Sequence, residues 1–227
     1  MQYPITAQQL GLCMTKQDTS YNGGINHGMI MKTLDYVYEK AVNGIPGFET
    51  AESMAEDYIK NHPYDPKLSS NKLVRWQIAK AGTAGFLSGI GGIITLPVAI
   101  PANMASTLYI QTRMIAAIAV IGGHDVRDDR VKTLIYMCLT GSAMSDIAKD
   151  FGIKVGAKFA ENAIKNISGK TITKINQAIG FRLITKFGTT GAVNLGKMVP
   201  LLGGMLSGCF DSVTTKIIGE IAIKTFI

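Results

Sequence analysis

The sequence predicts an all-α, single-domain, glycine-rich helical bundle with a central apolar hairpin broken by proline. Three observations predict it. Apolar residues recur at helical spacing along most of the chain, no period-2 run marks a strand, and no charged residue falls between Lys80 and Arg113. With 227 residues, 47% of them hydrophobic and 17% charged, the chain is long enough to bury one core and too apolar to be disordered. Cys13, Cys138 and Cys209 stand far apart without a CxxC pair, which argues against a disulfide framework or a thiolate metal site. Met1 to Ser20 shows no basic start followed by an apolar run, so no secretory signal is expected.

Residues 1–30 carry polar and Gly/Asn-rich segments and read as a flexible arm ahead of a helical domain at 31–227. From Met31, the positions Leu34, Val37, Tyr38, Ala41 and Val42 predict a helix that Gly44-Ile45-Pro46-Gly47 stops. A second helix opens at Glu49 and Thr50 and ends near Lys60. Pro63 and Pro66 then force a turn, after which Ser69 or Ser70 is expected to cap a third helix with Lys72, Arg75 and Lys80 in water. The apolar stretch follows. Pro97 and Pro101 break it into helices at about 82–95 and 102–121, the two arms of a hairpin spanning 82–121. Asp125 begins the next helix, predicted to run to about Asp150 before Gly152. Two amphipathic helices are expected at about 153–166 and 170–186, the second with Ile172, Ile175, Ile179, Leu183 and Phe187 on one stripe. A Gly-rich stretch to Phe210 and a last helix through Asp211, Ile217, Ile221 and Phe226 close the chain.

Four groups of residues invite a functional reading. Asn103, Gln111 and Arg113 are polar positions of the hairpin. Because burying a lone guanidinium is costly, Arg113 is expected to pair with Asp211, forming a polar site between hairpin and last helix. Asp125, Asp128 and Asp129 resemble an acid or metal cluster, but their spacing equally suits a helix N-terminus, where carboxylates cap amides and favour the macrodipole. No metal-ligand spacing, nucleophile elbow or phosphate loop accompanies them, so no cofactor or metal is called for and the case for an enzyme is weak. Lys154, Lys158, Lys165, Lys170, Lys174, Arg182 and Lys186 concentrate positive charge on the helices at 153–186, where Asp150 and Glu161 are the only nearby acids. Such a face suits the anionic lipid of a membrane surface; a merely solvated face is the bland alternative, and the absence of a groove-reading motif argues against nucleic acid. Glycines four apart at Gly85 and Gly89, Gly152 and Gly156, and Gly204 and Gly208 would let helices approach closely.

Several motifs in one order carry a resemblance. They are Gly91-Gly92-Ile93-Ile94-Thr95-Leu96-Pro97-Val98-Ala99-Ile100-Pro101-Ala102-Asn103, Arg113-Met114-Ile115-Ala116, Asp128-Asp129-Arg130-Val131, Gly180-Phe181-Arg182 and Asn194-Leu195-Gly196-Lys197-Met198-Val199-Pro200. Together they resemble the EcsC protein family from about residue 33 to 226. His124 departs from the pattern, where the family's Gly-Gly-Tyr-Asp run would place Tyr. The resemblance implies a helical fold and a membrane context connected with transport or secretion, and it brings no catalytic residues to this chain.

The residues and the resemblance together lead to one expectation: a non-enzymatic protein on the cytoplasmic side of the inner membrane, peripheral or partly inserted. Its apolar hairpin and basic face would contact anionic lipid, possible protein partners being other components at that membrane. Two alternatives stay open, a helical adaptor whose hairpin is core, and a pore-former that stores the hairpin until release.

Overall fold

The computed structural model describes residues 26–81, 102–156, 159–187 and 206–227, without the side chains at 81, 102–104, 186–187 and 206–211. The hairpin's first arm, its Pro-Pro corner and most of the arm expected at 1–30 lie outside the described residues.

Helix α1 spans His27–Asn43. It begins four residues before the expected start, because the Asn26 side chain accepts from the Met29 amide and so caps His27 and Gly28 into the first turn. Gly44 ends it at φ +86°, a backbone state that favours glycine. Helix α2, Ala51–Asn61, is capped by Thr50, as its sequence predicts. Helix α3, Pro66–Ala81, starts earlier than the serines implied. Asp65 accepts from the Leu68 amide, and Pro66 occupies the first turn, where its missing N–H costs nothing. Ser69 is buried instead, its hydroxyl donating to the carbonyls of Tyr58 and His62.

Helix α4, Ala102–Ile121, is the axis of the molecule. Every residue from Ala105 to Ala119 is buried, with α1, α2, α3 and the later helices α5, Asp129–Leu139, and α9, Leu206–Phe226, packed around it. A helix surrounded in this way needs apolar residues on all sides, which accounts for its sequence without lipid. Among the described residues no helix is long and apolar enough to cross a membrane.

The helix predicted from Asp125 to Asp150 is three pieces: α5 at Asp129–Leu139, a 3-10 turn at Gly141–Ala143 and α6 at Met144–Asp150. Gly141 at φ +67° makes the break, and the Thr140 hydroxyl donates to the Met137 carbonyl at the end of α5. Helix α7 is Phe159–Asn166, shorter than the expected 153–166, since Gly152 at φ +69° turns the chain away from α6 into a stretch without regular structure at 153–156. The Gly152 and Gly156 pair therefore lies in a loop and forms no helix face. Helices α8, Gly169–Phe187, and α9, Leu206–Phe226, complete the bundle.

Glycine does bring helices together, at other positions. A Cβ on Gly219 of α9 would stand 2.6 Å from Val74 of α3, and one on Gly180 of α8 would stand 2.5 Å from the His27 ring of α1. Both are closer than side chains tolerate, so the contact with branched Val74 requires glycine, while at Gly180 the His27 ring would have to shift.

Candidate functional site

Three regions bring the candidate residues into place. The first lies at the start of α5. Asp128 is the N-cap: its carboxylate accepts from the Arg130 amide and also from the Arg130 guanidinium, which reaches on to the Ile164 carbonyl of α7 at 3.1 Å. These hydrogen bonds, the Arg130 side chain's above all, hold the Asp128 carboxyl below its ordinary range. Asp125 lies outside the helix and accepts from the Arg127 amide in the preceding turn, while Asp129 sits in the first helical turn. The cap is thus Asp128, three residues after the Asp125 start that the sequence suggested, and among the described residues no group of His, Cys, Asp or Glu is arranged to hold a metal. His124, at the departure from the family pattern, packs its ring edge-on to Phe226 at 5.4 Å.

Asp129 borders a groove of about 600 Å³ between α1 and α5 that sequence reasoning missed. Lys132 bonds Asp35 at 2.7 Å, and Tyr136 donates to the same carboxylate at 3.0 Å. Tyr38 crosses Tyr136 edge to face and donates to the Val126 carbonyl, with the Lys132 ammonium over both rings. Burial raises both phenols well above their ordinary range, with Asp125 and Asp129 adding to the effect at Tyr38 and Asp35 at Tyr136. Neither phenol is a base near neutral pH, and Asp35 and Lys132 neutralise each other. The contacts along the groove tie the two helices together. Lys132 and Tyr136, one turn apart, were the sequence signal for it.

The second region is the polar strip on α4, and here the expected single site divides. Gln111 faces α9, where its amide donates to Thr215 at 3.3 Å and Thr214 at 3.4 Å. Arg113 faces the other way, since two residues along a helix turn the side chain by about 200°. Its guanidinium donates to the Glu49 carbonyl at 3.2 Å and lies over the rings of Phe48 and Tyr109. It is 1% exposed, and among the described residues no carboxylate pairs with it. Among the described side chains, Gln111 makes the polar junction with the last helix, and Arg113 meets the α2 entry. The side chains of Asn103 and Asp211 lie outside the described residues. Lys80 lies near enough that burial, and then the Arg113 charge, lower its ammonium below the ordinary range.

The third region is the basic one. Lys154, Lys165, Lys170, Lys174 and Arg182 are exposed; the side chains of Lys158 and Lys186 lie outside the described residues. On α8 the stripe Ile175, Ile179 and Leu183 is buried, as its spacing predicts. Phe181 is off that stripe and 63% exposed. It shares the outward face with Lys170 and Lys174, which precede it by eleven and seven residues, close to whole numbers of turns. Beside this face, Arg182 and Thr185 of α8 meet Ile217 of α9 and the 3-10 turn around a cavity of about 360 Å³. Across Gly141 and Ser142 lies a second cavity of about 440 Å³ between α6, α7 and α9. Val155, Val213 and Ile217 are further apolar side chains left exposed in this part of the molecule.

With the helical framework and these three regions defined, comparison with known proteins adds the lineage. The EcsC protein family matches residues 25–227, nearly the entire chain. The chain belongs to the EcsC family. No match was found among curated proteins or solved structures. The family's reach from residue 25 coincides with the Asn26 cap of α1, so the EcsC domain here begins where the described helices do.

Proposed function

We propose that this EcsC protein is a non-enzymatic, peripheral membrane-binding protein that docks on anionic lipid, at the cytoplasmic face of the inner membrane, through α8 and its neighbours. The observation that carries the reading is Phe181, exposed in line with Lys170 and Lys174 and next to Arg182. An aromatic ring set among cations on a helix face is the composition of helices that lie in a headgroup layer, with the ring entering the acyl boundary and each cation contributing about 1 kcal/mol near an anionic leaflet. A role alongside transport or secretion machinery is the biological setting that family membership favours.

In this reading α4 stays within the bundle and contact falls to the basic face. Flotation of the purified protein with vesicles tests it. Binding is expected to an equimolar mixture of phosphatidylglycerol and phosphatidylcholine at low salt, to weaken at high salt, and to be absent from phosphatidylcholine alone. Lys170→Ala combined with Lys174→Ala should lower partition by roughly 30-fold, from about 1 kcal/mol per cation. Protein that remains at the bottom of the gradient in every mixture would overturn the proposal.

The burial of α4 favours the second reading, a helical adaptor for a partner protein whose apolar hairpin is core. That reading predicts no flotation with either lipid mixture and no change in α4 when vesicles are present.

A further inference from the structure

We propose that the cavity between α6, α7 and α9 is a ligand site for one long acyl chain ending in an anionic head. The chain would lie against α9, with the head between Lys224 and Arg182. Met144, Val155, Phe159 and Ile221 supply apolar walls. Thr225 also borders the space, but its hydroxyl donates to the Ile221 carbonyl at 2.8 Å, so it offers the cavity little polarity. Behind it the floor is sealed by Cys138, whose sulfur lies 3.6 Å from the Thr225 hydroxyl and 3.9 Å from the Met144 sulfur. Burial pushes that thiol up to about 12, so the floor is uncharged at any physiological pH.

The ends of the space differ from its walls. Lys224 borders the apolar cavity, and Gly141 and Ser142 are common to it and to the adjoining cavity, which Arg182 and Thr185 line. The described residues around the two cavities include two cations and no carboxylate. Volumes of about 440 and 360 Å³ fall in the range of small-molecule sites, about 300 to 1,000 Å³. Walls that are mostly apolar, with Ser142 and Ser145 among the few polar positions, select hydrocarbon, at about 0.8 kcal/mol for each methylene taken from water. An ammonium bordering the apolar cavity and a guanidinium bordering its neighbour select a carboxylate or phosphate. A neutral amphiphile would satisfy the walls and leave the charges without a counterpart.

This inference goes beyond membrane docking and does not need a bilayer. The head chemistry is shared by two sources, a free fatty acid and a singly acylated phospholipid, so both are measured. The delipidated full chain is titrated, without vesicles and below the aggregation concentration, with a fluorescent fatty acid. Palmitate, lysophosphatidylglycerol and hexadecanol then compete for it. Saturable binding with one site per chain is expected, and hexadecanol should compete at least about tenfold more weakly than the better anionic ligand, a 1.4 kcal/mol difference. Ser145→Phe, which fills the apolar cavity, should weaken binding by about tenfold or more without changing the circular dichroism spectrum; Ser142→Phe on the exposed side serves if that variant fails to fold. Arg182→Glu with Lys224→Glu should weaken the anionic ligands and leave hexadecanol unchanged. Whichever anionic competitor is stronger identifies the source. Absence of saturable binding, wild-type affinity in the filled variants, or an equal effect of charge reversal on hexadecanol would each overturn the site. Because Lys170 and Lys174 lie outside it, their alanine variants should lose flotation and keep fatty-acid binding, which separates failure of this site from failure of docking.

Discussion

Asp128 shows how one side chain serves two connections. It caps α5, and it holds Arg130 so that the guanidinium can reach α7. Asn caps a helix about as well as Asp, so Asp128→Asn should retain the cap and lose the charged partner, whereas Asp128→Ala loses both and should cost about 1 kcal/mol or somewhat more in chemical denaturation. The carboxyl is held below its ordinary range in the folded chain. A depressed acid contributes stability above its unfolded value, and that contribution is lost as pH falls. The difference between wild type and Asp128→Asn should therefore be constant from neutral pH down to about 5 and close below about 4. A difference that persists at lower pH would place the effect in the cap and not in the charge.

Arg113 makes a contrasting case. It is buried against two aromatic rings with one carbonyl contact, and its Nε has no hydrogen-bond partner among the described residues. A buried cation with so few partners contributes little to stability, and a shape-matched apolar residue often replaces such a group at no cost. Arg113→Met should leave the unfolding free energy within about 1 kcal/mol of wild type, because exposed Glu49 leaves its carbonyl close to water. Arg113→Glu should fail to fold. If the Met variant lost several kcal/mol, a partner for the guanidinium would have to exist, and Asp211 would be the position to reverse.

Among the elements, α9 and α3 form the most extensive helix pair. Their approach depends on Gly219, where a methyl would meet both branches of Val74 at 2.6 and 2.8 Å. Valine is stiff at χ1 and cannot swing aside. Gly219→Ala should destabilise by about 1 to 3 kcal/mol in thermal or urea unfolding. In the double variant with Val74→Ala the two losses should be less than additive, since removing the branches removes the clash. Full additivity would mean that the helices accommodate the methyl elsewhere. Gly141 acts at the same scale by ending α5. Without it the pattern from Val131 through Ile147 would continue as one helix, and the turn that borders both cavities would not form.

For the molecule as a whole, the position of α4 decides between ways of meeting a membrane. A central helix that the described helices enclose can reach lipid only if the bundle opens. Docking through α8 requires no opening. Hydrogen exchange with anionic vesicles should therefore show unchanged, slow exchange in α4 and new protection around Phe181 and Arg182. Vesicle-induced exchange across α4 would instead indicate that the bundle releases the helix, as the pore-forming reading demands.

The helical class, the approximate course of α1 and α2, the helix at 102–121 and the buried stripe of α8 were legible in the residues, because helical periodicity is local; the acids ahead of α5 marked a helix start, although the cap is Asp128 and not the expected Asp125. Family membership was legible too, since several motifs occurred in a fixed order. Other features were settled only by tertiary contact. A mostly apolar helix reads the same whether lipid or protein surrounds it, and only the packing of α1, α2, α3, α5 and α9 shows that α4 is enclosed by protein. Gln111 and Arg113 read as one site in a linear string, yet the helical twist sends them to opposite neighbours. The close glycines, Gly180 and Gly219, matter because of what stands opposite them, and the Asp35, Tyr38, Lys132 and Tyr136 cluster joins residues about a hundred positions apart. Local patterns specify how the backbone coils; which faces meet depends on volumes and distances that arise when the helices pack.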